Sequence, residues 1–485
     1  MTEKSETIIL NSPFTIHHSL PTVYRLLLIT LFAAPLAFGA VQPWAWATLG
    51  MVALLSLAWW AGASVRQGVV RIVWSPLYAP ALAMLALGAA QLLGHSTMDA
   101  LATRESLLKL ATALIIFFLA VQFFSPAGPN RSHHRVAETR SDLRRQPETD
   151  SSLRCAPLRM TALSGCHPER SEGSAFSGGS APAWRVLGIA VTVYTAALAV
   201  FAIAQFFSSP ALIYWTVKPR WGGWVFGPYV NHNHFAGLME MLIPLAAVYV
   251  LSRPRAYPAR LLLGFAVSVA VASVLLSGSR GGLIALVAEV LILTVILLRR
   301  APGRRSAAAG VLGIVLAASL FLWMDQGDIL KRFSTVASLT RTPEATFGER
   351  RWVALDALRM FRHRPFTGVG LGSFETAYPP YRSFPSDFEW DHSHNDYAEA
   401  LAETGLTGLV LMLASLVFLL GMAFRNLRER LRHEQGWMQL GAALGCCGLL
   451  VHSLVDFNLH IPANAAWFAF CAGLTQSSEF LSSEF

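Results

Sequence analysis

RLLLGFAVSVAVASVLLSGSRGGLIALVAEVLILTVILLRR, residues 260–300, is the stretch that decides the fold. It contains two apolar runs, at 259–278 and 282–298, each close to the roughly 20 residues that a helix needs to cross a bilayer. Between them lies the polar turn SGSRGG (277–282). Arg253, Arg255 and Arg260 flank the first run, and Arg299, Arg300, Arg304 and Arg305 follow the second. Cations mark the cytoplasmic ends of membrane helices, so this stretch reads as a helical hairpin whose glycine-rich turn points outward.

The same reading extends in both directions. Apolar runs at 24–41, 44–62, 74–95, 105–125, 184–207, 233–251, 307–324, 405–424, 437–455 and 461–477 bring the expected spans to twelve. The connections 63–73 (Arg66, Arg71) and 425–436 (Arg425, Arg428, Arg430, Arg432) are basic and fall on the inner side when the N-terminus is cytoplasmic. The fold class is an all-α, polytopic transmembrane bundle with a long periplasmic loop carrying short helices. A composition of 54% hydrophobic and 14% charged residues over 485 positions agrees with it. The net charge of +9 comes mainly from arginines that orient helices, which argues against nucleic acid as a partner. Residues 1–23 lack a cleavage-site pattern, so the first run is expected to be a retained span.

The chain divides into N-terminal helices (1–125), a cytoplasmic insert (126–183), central helices (184–324), the large outer loop (325–404) and C-terminal helices (405–485). The insert is rich in Ser, Pro, Gly and charge and reads as a disordered linker, the stretch CHPERSEGS included. Cys155 and Cys166 lie in it, and Cys446, Cys447 and Cys471 lie in late apolar runs, a distribution that argues against disulfides and a Cys-bound metal.

Four polar clusters fall on one side of this arrangement: NHNHFAG (231–237), SGSRGG (277–282), DHSHNDY (391–397) and VDFNLHIP (455–462). Arg280 has a planar fork suited to phosphate oxygens, and its position away from the basic side argues against a simple anchor. Gly278, Gly281 and Gly282 would let a bulky partner approach the backbone. Ser393 and Asp396 match a capping box, placing a helix start at Ser393 and His394 in the first turn. There the positive helix end would keep His394 neutral and able to accept a proton, with Asn395 beside it as a binding group. Gly405 is expected to interrupt this helix. Asn231, His232, Asn233 and His234 suit either sugar hydroxyls or, with His392, His394 and Asp391, a metal ion. The lack of an HExxH-like spacing favours the sugar. Asp456, Asn458 and His460 would cap the pocket or satisfy helix ends.

Within the outer loop, Val353, Ala357, Met360 and Phe361 line one face of an expected helix, with Asp356, Arg359 and His363 opposite, as in an amphipathic helix lying on a membrane surface. Pro365 ends it, and TGVGLGSF (367–374) follows as a structural turn, since no strand precedes it to make a phosphate-binding fingerprint.

The order of many spans, NHNHFAG, SGSRGG, a late outer loop ending in HSHNDYAEALAETG (392–405) and two closing spans resembles the O-antigen ligase and polymerase superfamily of bacterial envelope glycan enzymes. The resemblance runs from about residue 184 to the C-terminus. The first four spans share only general character, and the insert is a departure. It implies a metal-independent, cofactor-free glycosyltransferase of the bacterial inner (cytoplasmic) membrane, with its active site facing the periplasm. The donor would be a glycan on a polyprenyl (undecaprenyl) diphosphate, and the acceptor lipid A core in a ligase or another glycan in a polymerase. Arg280 would hold the diphosphate, Arg350 or Arg351 would add a second contact, His394 would activate the acceptor hydroxyl, and Asp456 would line the pocket. A lipid-linked glycan transporter without chemistry is the alternative from another class.

Overall fold

A computed structural model describes residues 20–66, 72–124, 181–219, 223–254, 256–300, 347–386, 389–425 and 427–476. In chain order the helices are α1 (Leu20–Leu36), α2 (Pro43–Arg66), α3 (Tyr78–Leu93), α4 (Ala100–Phe124), α5 (Ala181–Ser208), α6 (His232–Ser252), α7 (Arg260–Ser277) and α8 (Arg280–Arg300). They continue with α9 (Phe347–His363), α10 (Phe374–Ala377), α11 (Asp396–Phe424), α12 (Leu427–Arg430), α13 (Glu434–His452) and α14 (Pro462–Gln476). Among the described residues the only β pairing is two isolated bridges.

The helices α2, α4, α5, α6, α7, α8 and α11 are long and apolar enough to cross a membrane, seven where the sequence suggested twelve spans. Helices α1, α3 and α14 occupy further expected spans but have only 17, 16 and 15 residues, and α13, at 19 residues, is less apolar. The expected span 307–324 and residues 126–180 of the insert lie outside the described residues. The multi-pass helical class therefore stands on seven helices.

Helix α6 is the centre of the bundle, with nearly every side chain from His232 to Tyr249 buried. Helix α13 can lie against it because Gly441 and Gly445, four residues apart, carry no side chain at the crossing. A Cβ at Gly445 would sit 2.7 Å from the Met241 Cα. Peripheral helices do the reverse and expose apolar side chains: Met51, Leu54 and Leu55 on α2, Leu261, Leu262 and Phe265 on α7, and Val410, Leu413 and Val417 on α11. Apolar surface on that scale suits lipid and not water.

Two of the basic connections, 252–260 and 425–436, meet where Arg253 pairs with Glu434 at 2.7 Å. Arg430 donates to the Met422 and Ala423 carbonyls there, satisfying the last turn of α11. At the opposite end a second, smaller core forms from Val353, Ala357 and Met360 of α9 with Val369, Phe374, Tyr378, Trp390 and Ala402. The apolar face expected to meet the membrane is thus buried in protein. Trp352, Leu355 and Leu358 are the exposed apolar side chains of α9 instead. Asp356, expected on the polar face, is fully buried, where it accepts from Arg359 Nη1 at 2.8 Å, the Ser383 N–H at 3.0 Å and the Tyr378 hydroxyl at 3.3 Å.

The glycine-rich turn fastens this unit to the bundle. Gly370 has φ of 117°, and a Cβ there would overlap Thr97, so only glycine fits. Its N–H donates to the Glu403 carbonyl at 3.0 Å, while the Gln91 side chain donates to the Thr367 carbonyl at 2.6 Å and accepts from the Leu371 N–H at 3.0 Å. Gly405 adopts φ of 63° inside α11 and breaks its helical geometry where the sequence expected an interruption.

Candidate active site

The four clusters meet around one turn, residues 453–461, between α13 and α14. Its centre is Asp456, 1% exposed. Three cationic or potentially cationic groups from separate segments surround it: His234 Nε2 at 3.5 Å from α6, Arg350 Nη1 at 3.4 Å from α9, and His394 Nδ1 at 3.9 Å from the loop before α11. The Phe457 N–H donates to the same carboxylate at 2.8 Å. Burial alone would raise the Asp456 pKa, but the His234 hydrogen bond and the charges of His394 and Arg350 hold it well below the usual carboxylate range. Next in sequence, the Phe457 ring touches three imidazoles, stacking on His392 at 4.4 Å and meeting His234 and His394 edge-on at 4.7 and 4.8 Å.

Helix α11 does not start at Ser393. Its N-cap is Asn395, whose side chain accepts from the Tyr397 and Ala398 N–H groups at 3.1 and 2.9 Å, while the Ser393 hydroxyl donates to the Asn395 carbonyl at 2.8 Å. His394 therefore stands outside the first turn, in a left-handed conformation with φ of 52°. For a non-glycine residue this costs about 1–2 kcal/mol, which its surroundings must offset. Those surroundings include the Asn395 amide donating to the Leu454 carbonyl at 2.9 Å and the Asp396 N–H donating to the Ser453 carbonyl at 3.0 Å. His394 is neutral near pH 7, as expected, but the main cause differs. Burial depresses its pKa to about 4 against the pull of Asp456, with Arg350 assisting. His394 Nδ1 and Arg350 Nε are both buried without a hydrogen-bond partner.

A second polar group, which the sequence reading missed, lies beside the first. His392 Nδ1 is 2.6 Å and His460 Nε2 3.3 Å from Glu399 Oε1, His460 Nδ1 is 2.8 Å from Asp396, and the Ser393 N–H donates to Glu399 Oε2 at 2.6 Å. Burial lowers the His460 pKa, but Glu399 and Asp396 outweigh it and raise the value to about 10. One signal was available: Asp396, Glu399 and Glu403 fall at i, i+3 and i+7, so a helix puts three carboxylates on one face. His392, Glu399 and His460 offer ligand atoms within 4.8 Å of one another and are the set among the described residues that could hold a metal ion. The alternative set, two His-x-His pairs with Asp391, is not gathered in that way.

The remaining candidates are placed as follows. Asn231 caps α6, accepting from the Asn233 N–H at 2.8 Å. His232 stacks on Trp224 with ring centroids 4.3 Å apart, and Asn233 is buried. Arg350 reaches Asp456, whereas Arg351, one position further round the helix, is exposed. Arg280 is exposed at the start of α8. The glycines after it do not leave room for a partner as expected. A Cβ at Gly281 would overlap the His452 ring and lie 3.0 Å from Val455, and one at Gly282 would lie 2.7 Å from Ala236. Arg280 thus stands next to a residue packed on Val455, the immediate neighbour of Asp456.

No curated protein matches the chain. Residues 265–413, from α7 into α11, match the O-antigen ligase family, and this stretch carries Arg280, Arg350 and His394. Over this stretch, less than a third of the chain, the protein is similar to the O-antigen ligases.

Proposed function

We propose that the protein is an O-antigen ligase, joining a glycan from a polyprenyl diphosphate carrier to a hydroxyl of lipid A core at the periplasmic face of the bacterial inner membrane. The observation that carries this reading is the convergence of His394, His234 and Arg350 on the buried Asp456, with the Arg280 turn packed against the preceding residue, Val455. Neutral His394 accepts the proton of the acceptor hydroxyl as its oxygen bonds to the sugar anomeric carbon. The bond from that carbon to the carrier breaks, and its electron pair leaves on the diphosphate. Arg280 and Arg350 stabilise that growing charge, electrostatic help of the kind that often dominates catalysis. Asp456 orients the imidazole and balances it once protonated, and its 3.9 Å separation from Nδ1 is of the loose kind that tightens in a substrate complex. Asn231, His232, Asn233, His234 and Asn395 form the wall nearest the sugars. No step calls for a metal ion or nucleotide.

Reconstitution in lipid nanodiscs with a diphosphate-linked glycan tests this reading, offering lipid A core and free repeat units as competing acceptors. Transfer to lipid A core supports the ligase, transfer to repeat units makes the protein a polymerase, and equal transfer by His394→Ala overturns the mechanism. One observation favours a transporter instead. Glu240, Glu289 and His452 are almost fully buried in α6, α8 and α13, and ionisable groups inside a bundle often line a translocation route. Movement of the donor lipid between leaflets without transfer would establish that alternative.

A further inference from the structure

Glu240 lies six residues after His234 on α6, and His452 ends α13, four residues before Asp456. His452 Nδ1 lies 2.8 Å from Glu240 Oε1, and both residues are 1% exposed. Their other polar atoms, Glu240 Oε2 and His452 Nε2, have no hydrogen-bond partner. A buried pair left half satisfied is costly, so its position calls for a reason.

The turn above supplies one. Gly281 lies so close to His452 that a Cβ would overlap ring atoms Cδ2 and Nε2, and a Cβ at Gly282 would sit 3.2 Å from Glu240 Oε1. Each glycine of SRGG rests on one member of the pair. The turn is also braced internally: Gly278 closes α7 in a left-handed conformation, and the Gly282 N–H donates to the Ser279 hydroxyl at 3.0 Å. Four residues after His452 the chain reaches Asp456, and the Val455 between them touches the same turn. The pair therefore stands where the segment carrying Arg280 and the segment carrying Asp456 are joined.

We infer that Glu240 and His452 are positioning residues, a buried pedestal that sets Arg280 relative to Asp456 and, through it, His394. This inference rests on the proposed reading of Arg280 as the diphosphate contact. It also accounts for two of the three buried ionisable residues without a translocation route. An amide at 452 still reaches Glu240 from the Nδ1 position but removes the ring edge that excludes a side chain at 281.

The test uses the full chain in nanodiscs, reading binding of undecaprenyl diphosphate together with glycan transfer. Arg280→Ala should weaken diphosphate binding at least tenfold, and unchanged binding would defeat the reading of Arg280 itself. Gly281→Ala should lower kcat at least tenfold while leaving the acceptor KM within twofold. His452→Asn should cost about threefold, and Gly281→Ala/His452→Asn should return to within threefold of His452→Asn. A double variant as impaired as the product of the two single effects would overturn the pedestal while leaving the Arg280 reading intact. Should Gly281→Ala fail to fold, Glu240→Gln against Glu240→Ala decides. The glutamine retains the acceptor atom and should keep at least five times the kcat of the alanine, and equal values would overturn the inference.

Discussion

His392 and His394 are two residues apart and touch the same phenylalanine, yet they belong to opposite kinds of site. His392 is part of a closed set in which Glu399 receives two imidazoles and a backbone N–H, and Asp396 receives the second nitrogen of His460. Burial works against the charged form of His392, but Glu399 prevails and its pKa rises. His394 sits in an open set: it has strained backbone, an unpartnered Nδ1, a depressed pKa, and a neighbouring arginine with a free Nε. Satisfied buried networks hold a structure together, whereas unsatisfied ones mark where a substrate completes the bonding. On the proposed function, the difference gives stability to one histidine and chemistry to the other.

The largest effect that could break this contrast is on activity. His394→Ala should lower glycan transfer by about 10²–10⁴-fold, the range for losing a general base, with the thermal midpoint in detergent nearly unchanged. His392→Ala should do the opposite, lowering the midpoint while the folded fraction keeps transfer within tenfold. If both variants lose activity and stability alike, the two sets are one.

Next in size is the closed set itself. Removing the buried carboxylate in Glu399→Ala takes the counter-charge from His392 and leaves His460 with Asp396 alone, so stability should fall. The expected result is poor yield of folded protein, read by size-exclusion profile and thermal midpoint. Glu399→Gln, which keeps an acceptor and the shape, should lose less.

Much of this arrangement was legible in the chain, and the parts that were not share a cause. Spacing of apolar residues and arginines placed the long helices, and it brought all four polar clusters to one end, because those signals are local and repeated along the chain. The start of α11 was misplaced because Ser393 and Asn395 are comparable caps, and the choice was made by His394 turning left-handed between them. Asp356 was assigned to solvent because its partners Tyr378 and Ser383 lie more than twenty residues on, beyond the reach of helical periodicity. The role of Gly281 and Gly282 was hidden likewise: what fills the space beside them comes from α6 and α13.

Acidity sharpens the contrast by a smaller amount, because it moves each set in its own direction. The folded pKa of His394, about 4, lies below the ordinary 6.5, so the stability tied to its neutral form is present above pH 6.5 and is lost as pH falls through 4. His460, raised to about 10, contributes stability that is full below 6.5 and is lost as pH rises through 10. Transfer should accordingly show an acid limb in kcat/KM near pH 4, absent from the residual activity of His394→Ala. The thermal midpoint should decline from pH 7 to 10, and His460→Asn should flatten that decline without moving the acid limb.

The smallest expected effect concerns metal. His392, Glu399 and His460 have the donor types of a zinc site, two imidazoles and a carboxylate. Each donor already has a protein partner, so an ion would have to displace hydrogen bonds of 2.6–3.3 Å instead of filling a gap. EDTA should therefore leave both transfer and the thermal midpoint unchanged. A midpoint that falls with EDTA and recovers with Zn²⁺, in the native chain but not in His460→Asn, would turn the closed set into a metal centre. Loss of transfer without loss of stability would instead move the ion to the Asp456 side, and the division between the two histidines would no longer hold.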